Sequence, residues 1–595
     1  MSMEASPAPG SSVGEPKVGG DAAEPKLVLL WIRLVCILLG GGVLHLLASR
    51  GVRNLTDIFM FEQDLPALVP AVAVLLLWRL TPFAATVAER LSRRSWTWAD
   101  GWRLTAVAAL LVAAVGLIGW VTVYFRYPLS MDEFMARFDA IIFNSGQPVA
   151  RVAPEWRSFV PALTPIFRMN VPDGAFWVSL YLPVNAVFQA LFGALGAPSL
   201  ANALWSAAAV AAGFAIARRL WPQRPEAAIV TAVLLATSTQ VLVTAMTAYA
   251  MPAHLALNLI WLWLVLRGGK AGHLGAAAVA FAACGLHQVV FNPLFAAPFV
   301  LQMWMDRRWG AALFHTAAYA AIGLFWVLYW SLLLHWVGAP PAMAHTMGGD
   351  FFVVRVVSLL THFDLGGPGV MAKNLFRFVT WQNPLAIVLA LAAAIPAWRA
   401  GGIVRGLLLG VILTTLAMTV LLPFQGHGWG YRYLHGLIGS VCLLAAWGWI
   451  RLVDGSKVAA RLLWRGLILC SAASLLVLLP LRAYQVYAFI KPYAAAYAAI
   501  RTTDADIVVV DPAGLAYGDD LTRNDPFLRN RPKIIDLNLL DEGQPTELCA
   551  KGKLAVFDYK QGWAFGIRRG ALRPPSALRR ELDSAPCQVG RVRGP

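Results

Sequence analysis

Two adjacent carboxylates, Asp132 and Glu133, come directly after the long apolar run 104–125. About 20 apolar residues suffice to cross a bilayer, so this pair stands where a helix would leave the membrane. Carboxylates at that depth are costly unless they form ion pairs or take part in function. The polar residues that follow, beginning with Arg137, indicate a catalytic loop held at the membrane surface.

Asp132 is the better candidate for a general base because it is the first acid after the apolar run. A positioned carboxylate can take the proton of an acceptor hydroxyl. Glu133 points elsewhere on any regular element, so we expect it to bind the sugar or to raise the pKa of Asp132. The alternative is structural: Ser130 or Asp132 would cap a short helix that begins at Glu133. Both roles can coexist.

A departing phosphate needs a cation, and Arg432 is the first candidate for that role. It lies between Tyr431 and Tyr433 at the end of an apolar run, where a guanidinium can bind a phosphate through two nitrogens. Arg137 and Lys373 come second. The alternative for Arg432 is an interfacial arginine within a belt of aromatic residues.

The remaining candidates for binding the sugar or the acceptor are polar and aromatic residues in the links between apolar runs. They are Glu155, Trp156, Arg157, His287, Gln425 and His427. No Cys/His spacing typical of a metal site is present, so no cofactor is assigned. A divalent metal held by Glu155 and His345 stays an open alternative, although their spacing forms no motif.

Composition indicates a polytopic membrane protein. The chain has 595 residues, of which 58% are hydrophobic and only 14% charged, whereas soluble proteins carry about 25% charge. The net charge of +17 raises nucleic acid as a partner. Most Lys and Arg residues lie in short links between apolar runs, however, as the positive-inside rule expects, and this argues against nucleic acid.

The apolar runs predict thirteen membrane-spanning helices, with the N-terminus in the cytoplasm and the C-terminus in the periplasm. They are 27–48, 66–88, 104–125, 199–220, 226–246, 250–267, 274–289, 291–305, 311–337, 379–398, 404–424, 431–451 and 461–482. Counting 176–196 as a further span would place Arg218 outside and invert the later links. We therefore predict an interfacial helix there, with Asn185 and Gln189 on its polar side.

The same pattern divides the chain into segments. Residues 1–26 are predicted to be a disordered cytoplasmic tail, 27–103 two extra N-terminal helices, and 104–482 the catalytic module with outer loops 126–198 and 338–378. Residues 483–595 predict a small periplasmic α/β domain, whose strands follow Ile507–Asp511, Lys533–Leu537 and Lys553–Asp558. Cys549 and Cys587, the two cysteines outside apolar runs, could form a disulfide in an oxidising compartment.

An ordered set of motifs resembles the GT-C glycosyltransferases and is similar to the aminoarabinose lipid A transferase and the protein O-mannosyltransferases. The motifs are Ser130–Phe134, Ile141–Gly146, Trp156, Phe159–Pro165, Leu191–Gly193, Ala217–Trp221 and Gly430–Tyr433. The His-Pro-Pro motif of the mannosyltransferases is absent, and two predicted spans precede the usual first span.

The resemblance implies a transferase that uses a sugar linked to a polyprenyl phosphate. The sugar would sit in a cavity at the outer, periplasmic face of a bacterial inner membrane, within the cell envelope, and the lipid tail between spans. The acceptor would be a lipid, a glycan or a protein. Two alternatives stay open: a secondary transporter, which would place its ionisable residues near the midplane, and a GT-C enzyme with a lipid-diphosphate oligosaccharide donor.

Overall fold

The computed structural model describes residues 23–48, 55–77, 82–164, 166–169, 171–338, 366–572 and 574–595. The helices before the predicted active site are α1 (Ala23–Ala48), α2 (Leu55–Phe59), α3 (Leu65–Leu77), α4 (Pro82–Arg93) and α5 (Trp98–Thr122). A single π-helical turn, Met60–Asp64, joins α2 to α3. Next come α6 (Met131–Asn144), α7 (Val160–Leu163), α8 (Val184–Gly193) and a two-stranded ribbon of β1 (Ala150–Arg151) and β2 (Phe176–Trp177).

The central helices form one packed bundle. They are α9 (Leu200–Leu220), α10 (Pro225–Ala236), α11 (Thr239–Thr244), α12 (Met251–Arg267), α13 (Gly269–Cys284), α14 (Phe291–Met305), α15 (Trp309–Trp336), α16 (Gly366–Thr380), α17 (Pro384–Ala400), α18 (Gly402–Leu421), α19 (Ile438–Gly455), α20 (Lys457–Ala473) and α21 (Leu479–Arg501). Seven helices of the described chain are long and apolar enough to cross a membrane, or up to eight if the bent pair α16–α17 is one span. The protein is thus an integral membrane protein built mainly of helices.

The thirteen predicted spans coincide with helices, but not one to one. Within the run 66–88, the described helices are α3 up to Leu77 and α4 from Pro82, and residues 78–81 lie outside the described part of the chain. The run 226–246 is divided between α10 and α11, where Ser238 caps the second helix. An apolar run of sufficient length does not reveal such breaks, so the count of thirteen stays a prediction.

Two other boundaries need correction. The C-terminal domain was expected to begin at residue 483, but α21 continues to Arg501, because a stretch rich in the strong helix former Ala follows the apolar residues. Helix α8 has ten residues, too short to cross a bilayer. Its Asn185 and Gln189 are buried, and they donate hydrogen bonds to Ala248 O (3.1 Å) and Asn202 Oδ1 (3.5 Å). The predicted polar side therefore faces protein.

The N-terminal helices are tied to the bundle by buried ion pairs. Asp57 pairs with Lys373 of α16. Asp64 lies 3.1 Å from Arg482 Nη1 and 4.0 Å from Arg377 Nε, and it accepts a hydrogen bond from Trp381 Nε1 at 2.8 Å. Breaking a buried pair by removing one partner typically costs about 3–5 kcal/mol. The two extra helices are therefore an integral part of the bundle.

The chain ends in a four-stranded parallel sheet. Its strands are β3 (Ile507–Val510), β4 (Lys533–Asp536), β5 (Leu554–Phe557) and β6 (Val589–Arg591), in the order β4-β3-β5-β6, with short helices α22 (Gln544–Glu547), α23 (Tyr559–Ala564) and α24 (Ala577–Asp583). The three strands expected from the sequence are confirmed. The Cys549–Cys587 disulfide is also confirmed, with Cα atoms 5.5 Å apart.

This sheet packs directly on the segment that contains α6 and α7. Val509 and Ile535 of the sheet share a buried cluster with Phe138 of α6 and Leu163 of α7. Asn524 Nδ2 donates to Leu163 O at 2.8 Å. The predicted first outer loop and the C-terminal region therefore form one packed unit, which holds α6 in place.

Candidate active site

Helix α6 begins with a capping box. Glu133 N donates to Ser130 Oγ, and Ser130 N donates to Glu133 Oε2, each at 3.3 Å. Such an N-cap contributes about 0.5–2 kcal/mol. The cap is thus Ser130, and Asp132 in the first turn takes no part in it. The helix-cap role that was the structural alternative for this motif therefore belongs to Ser130 and Glu133, and not to Asp132.

Glu133 is fully buried and does not line the cavity that Asp132 and Arg432 share. Its Oε1 accepts a hydrogen bond from Ala248 N at 3.0 Å, so it links α6 to the turn before α12. Burial raises the pKa of Glu133 to about 7. The expected roles of Glu133 in catalysis or sugar binding find no support in this geometry; its contacts are those of a structural residue.

Asp132 carries two strong contacts. Its Oδ2 lies 2.5 Å from Arg432 Nη1, and its Oδ1 accepts a hydrogen bond from Tyr181 OH. Burial is the largest single influence and raises the pKa of this carboxyl, but the charge of Arg432, the His287 ring and the hydrogen bonds from Tyr181 and Arg432 together outweigh it. The pKa of Asp132 therefore lies below its ordinary value, and the side chain is ionised at neutral pH.

Arg432 is held from several sides. Its backbone N donates to Gln425 Oε1 at 2.8 Å, its Nη2 donates to Gln425 O, and its guanidinium lies 4.8 Å from the centre of the Tyr249 ring. Gly428 has φ +148°, and a Cβ there would collide with the Arg432 side chain. The glycine-rich link 425–430 therefore permits the close approach that fixes this arginine.

Arg432 also keeps a donor free. Its Nε is buried and has no hydrogen-bond partner among the residues that the structure describes. A buried donor without a partner costs about 1–3 kcal/mol. An anionic oxygen placed beside this nitrogen would remove that cost.

A cavity of about 770 Å³ lies against the Asp132–Arg432 pair. Its other walls come from 166–182, from the link 287–290, from α15 and from 424–427, and they are mostly apolar and aromatic. Of the residues predicted for the site, six line this cavity: Asp132, His287, Gln425, His427, Arg432 and Tyr433. Its volume falls within the range of about 300–1,000 Å³ that is common for small-molecule sites.

Two histidines give the cavity neutral polar groups. The His287 ring lies 4.7 Å from the Tyr181 ring, and burial lowers the pKa of His287 to about 4. Burial likewise lowers the pKa of His427 to about 3, and its ring lies 4.0 Å from that of Tyr517. Within the described chain, neither histidine has a hydrogen-bond partner for its ring nitrogens. Both are therefore available to the hydroxyl groups of a ligand.

The sequence missed three residues of the site. Tyr181 lies in an irregular stretch with no motif, and Tyr517 and Asp520 belong to the C-terminal region that was expected to be separate. Burial raises the pKa of Asp520 to about 7, although Arg523 opposes this, and its Oδ2 lies 3.7 Å from His427 Nε2. The adjacent acids Asp519 and Asp520, which follow a predicted strand, were the one feature of the sequence that could have indicated this part of the site.

Glu155, Trp156 and Arg157 lie away from the cavity, contrary to expectation. Glu155 is exposed and its carbonyl accepts from Lys551 Nζ at 2.9 Å, while that ammonium lies 5.4 Å from the Trp156 ring centre. Arg157 Nε donates to Val152 O at 3.2 Å. These residues pack beneath the C-terminal sheet, whose position the sequence did not reveal.

Three other candidates also lie outside the cavity. Lys373 is buried in its ion pair with Asp57, and Tyr431 is fully buried. Arg137 lies on another side of α6, with its guanidinium 4.9 Å from the Trp120 ring centre. The described residues contain no group of three or more His, Cys, Asp or Glu that could hold a metal ion, and His345 lies outside them.

No protein family model and no curated protein matches this chain. It is similar to the solved structure of ArnT from Cupriavidus metallidurans in the apo state, with a TM-score of 0.44 and 13% identity over 72% of this chain and 86% of ArnT. The same ArnT bound to undecaprenyl phosphate gives 0.43 and 14%, over 70% and 84%.

An Archaeoglobus fulgidus oligosaccharyltransferase, tethered with an acceptor peptide, gives a TM-score of 0.43 and 12% identity over 73% of this chain and 64% of that protein. ArnT is an aminoarabinose lipid A transferase, and both of these solved proteins have the GT-C fold. At these scores and identities the likeness says nothing about the donor, the acceptor or the catalytic residue of this chain.

Proposed function

We propose that this protein is a membrane glycosyltransferase that moves a sugar from a polyprenyl-phosphate-linked donor to a lipid, glycan or protein acceptor at the outer face of the membrane. The observation that carries the proposal is the contact between Asp132 and Arg432 at the wall of one cavity. A base and a phosphate-binding cation side by side are what displacement of a lipid phosphate by a hydroxyl requires.

In the proposed step, the acceptor oxygen forms a bond to the anomeric carbon while its proton passes to the Asp132 carboxylate. The bond from the anomeric carbon to the phosphate oxygen breaks, and the phosphate leaves with both electrons. Arg432 binds that phosphate, and its Nη1 exchanges the Asp132 carboxylate for a phosphate oxygen. No other co-reactant is needed.

The remaining lining supports recognition of an amphiphilic donor. His287 and His427 offer neutral ring nitrogens for sugar hydroxyls, while Trp326 and Trp330 of α15 provide an apolar wall. Polar groups close to the ion pair and apolar side chains farther along α15 suit a sugar phosphate joined to a hydrocarbon tail. A secondary transporter, the alternative raised from the sequence, would instead need ionisable groups near the membrane midplane, at breaks in its helices.

The test uses the purified full chain in nanodiscs with polyprenyl-phosphate sugars extracted from the source membranes. Mass spectrometry should detect free polyprenyl phosphate and an acceptor that has gained the mass of one sugar. Asp132→Asn should suppress both products, whereas Asp173→Asn, an exposed aspartate of the same segment, should not. Release of polyprenyl phosphate at equal rates by the wild type and Asp132→Asn would contradict the assignment of the base.

A further inference from the structure

A second cavity, of about 860 Å³, lies on the other side of the segment that carries Asp132. Trp120 near the end of α5, Phe134 and Arg137 of α6, and the last turns of α21 line it. Pro128 faces this second cavity, whereas the candidate active site is lined by the residues from Ser130 to Asp132. Nothing in the proposed reaction uses this second space.

The second cavity is strongly cationic. Five basic side chains line it: Arg126, Arg137, Lys491, Arg501 and Arg523. No Asp or Glu lines it among the residues that the structure describes. A concave surface with charges of one sign and apolar walls concentrates ligands of the opposite sign.

Arg137 is the basic residue whose bonding is incomplete. Its Nε and Nη2 are buried and find no hydrogen-bond partner in the described parts of the chain; its guanidinium lies 4.9 Å from the Trp120 ring centre, and the Glu133 carboxylate acts on its charge from the protein side. Arg523, by contrast, already donates to the carbonyl oxygens of Pro128 and Leu129. The two free nitrogens of Arg137 have the geometry that binds two oxygens of a phosphate.

The opening of the cavity lies at the end of a helix that is apolar enough to cross a membrane. On α5, Ile118 and Val121 are 62% and 46% exposed, which leaves an apolar surface leading to the cavity. Phe125 and Arg126 both have positive φ, 55° and 57°, so the chain turns sharply there and the exposed Arg126 stands at the rim. Apolar surface on one side and cations on the other match the two parts of a lipid.

We propose that this cavity binds the phosphate-bearing headgroup of an anionic membrane lipid, with Arg137 bound to the phosphate oxygens and Lys491 and Arg501 at the rim. The aromatic walls favour a lipid over free phosphate, because an inorganic ion would leave them in contact with water. The site is distinct from the donor cavity, and its test measures lipid binding and not activity. A failure of this proposal would therefore leave the proposed reaction untouched, and the reverse also holds.

The test titrates the full chain in detergent with phosphatidylglycerol and counts bound lipids by native mass spectrometry. Variants Arg137→Gln and Lys491→Gln/Arg501→Gln should each weaken binding by about tenfold or more, which is the loss of a charge-assisted contact. The second variant changes two exposed side chains, so it remains informative if Arg137→Gln does not fold. Lys270→Gln/Arg399→Gln, a matched pair of exposed cations elsewhere, should bind as the wild type does.

Three results would overturn the proposal. The first is phosphatidylcholine binding as tight as that of phosphatidylglycerol. The second is a loss of affinity in the control pair as large as that in the cavity variants. The third is complete displacement of the lipid by inorganic phosphate at millimolar concentration. The first result would mean that charge plays no part, the second that net charge alone acts, and the third that the ligand is a soluble anion.

Discussion

Asp132→Asn should have opposite effects on turnover and on donor binding. The change keeps the shape of the side chain and leaves the Ser130–Glu133 cap intact. It removes the base, so turnover should fall by about 10²–10⁴. It also frees Arg432, whose Nη1 lies 2.5 Å from Asp132 Oδ2 and must exchange that partner for the donor phosphate.

The size of the binding gain follows from that exchange. A hydrogen bond to a charged group is worth about 1.5–3 kcal/mol, and a neutral one about 1 kcal/mol. The asparagine oxygen can still accept from Arg432, so about 0.5–2 kcal/mol of competition is lost, equivalent to about 2–30-fold tighter binding of a polyprenyl phosphate. Isothermal titration in detergent would measure this, with Asp173→Asn as the control for an Asp→Asn change in the same segment.

The pH dependence checks the same pair. The folded pKa of Asp132 is lowered, chiefly by Arg432 acting against burial, so the ion pair contributes stability that is fully present above the unfolded pKa of about 4 and is lost as the pH falls through the folded value. Thermal stability should therefore be insensitive to this pair between about pH 5 and 8.

Donor binding by Asp132→Asn that is equal to or weaker than that of the wild type would refute the partner exchange, and near wild-type turnover would remove Asp132 from the mechanism.

Three further changes act on the residues that hold the pair. Tyr181→Phe removes a hydrogen bond that lowers the pKa of Asp132, so the acid limb of the kcat/KM profile should move to higher pH; an unmoved limb would contradict this. Gly428→Ala places a Cβ against Arg432 and should weaken polyprenyl phosphate binding about tenfold or more, an effect that unchanged titration curves would exclude. Ser130→Ala should lower stability by about 0.5–2 kcal/mol, measured by thermal unfolding, while reducing turnover much less than Asp132→Asn does.

The sequence identified both members of the candidate pair but not their contact. Asp132 and Arg432 are separated by 300 residues, and each was selected for its own position at the end of an apolar run. A position at the end of an apolar run predicts how deep in the membrane a residue lies, and both residues are predicted to lie at the same membrane face. It does not constrain which helices are neighbours, and Arg137 and Lys373, the second candidates for the phosphate, lie elsewhere.

The polar candidates in the links failed for a different reason. Glu155, Trp156 and Arg157 look like substrate-binding residues because they are charged or aromatic and lie in a long link. Their actual partner is the C-terminal region, through Lys551, and not a ligand. A sequence pattern that predicts strands gives no information on the surface against which the sheet packs, so Asp520 was missed for the same reason.

Hydropathy predicted where helices lie better than where they end. Buried amides such as Asn185 and Asn202 donate to nearby backbone carbonyls, and Gln189 donates to Asn202 Oδ1, so polar residues on a short helix do not mark the side that faces water. The broken helices around Ser238 likewise depend on a single capping side chain. Such features are decided by individual tertiary hydrogen bonds, which a window of mean hydropathy averages out.

The two ends of the chain act on the two halves of the candidate active site. From the N-terminal helices, Asp64 pairs with Arg377, whose Nη2 donates to Gly428 O at 2.7 Å and so fixes the link that precedes Arg432. From the C-terminal region, Arg523 Nη2 donates to Leu129 O at 2.6 Å, three residues before Asp132. An ion pair at 2.5 Å needs both backbones in register. Each backbone is held by a buried arginine: Arg377 of α16, which pairs with Asp64 of the N-terminal helices, and Arg523 of the C-terminal region. The extra N-terminal helices and the C-terminal sheet are therefore best understood as the parts that keep base and cation together when the cavity is empty.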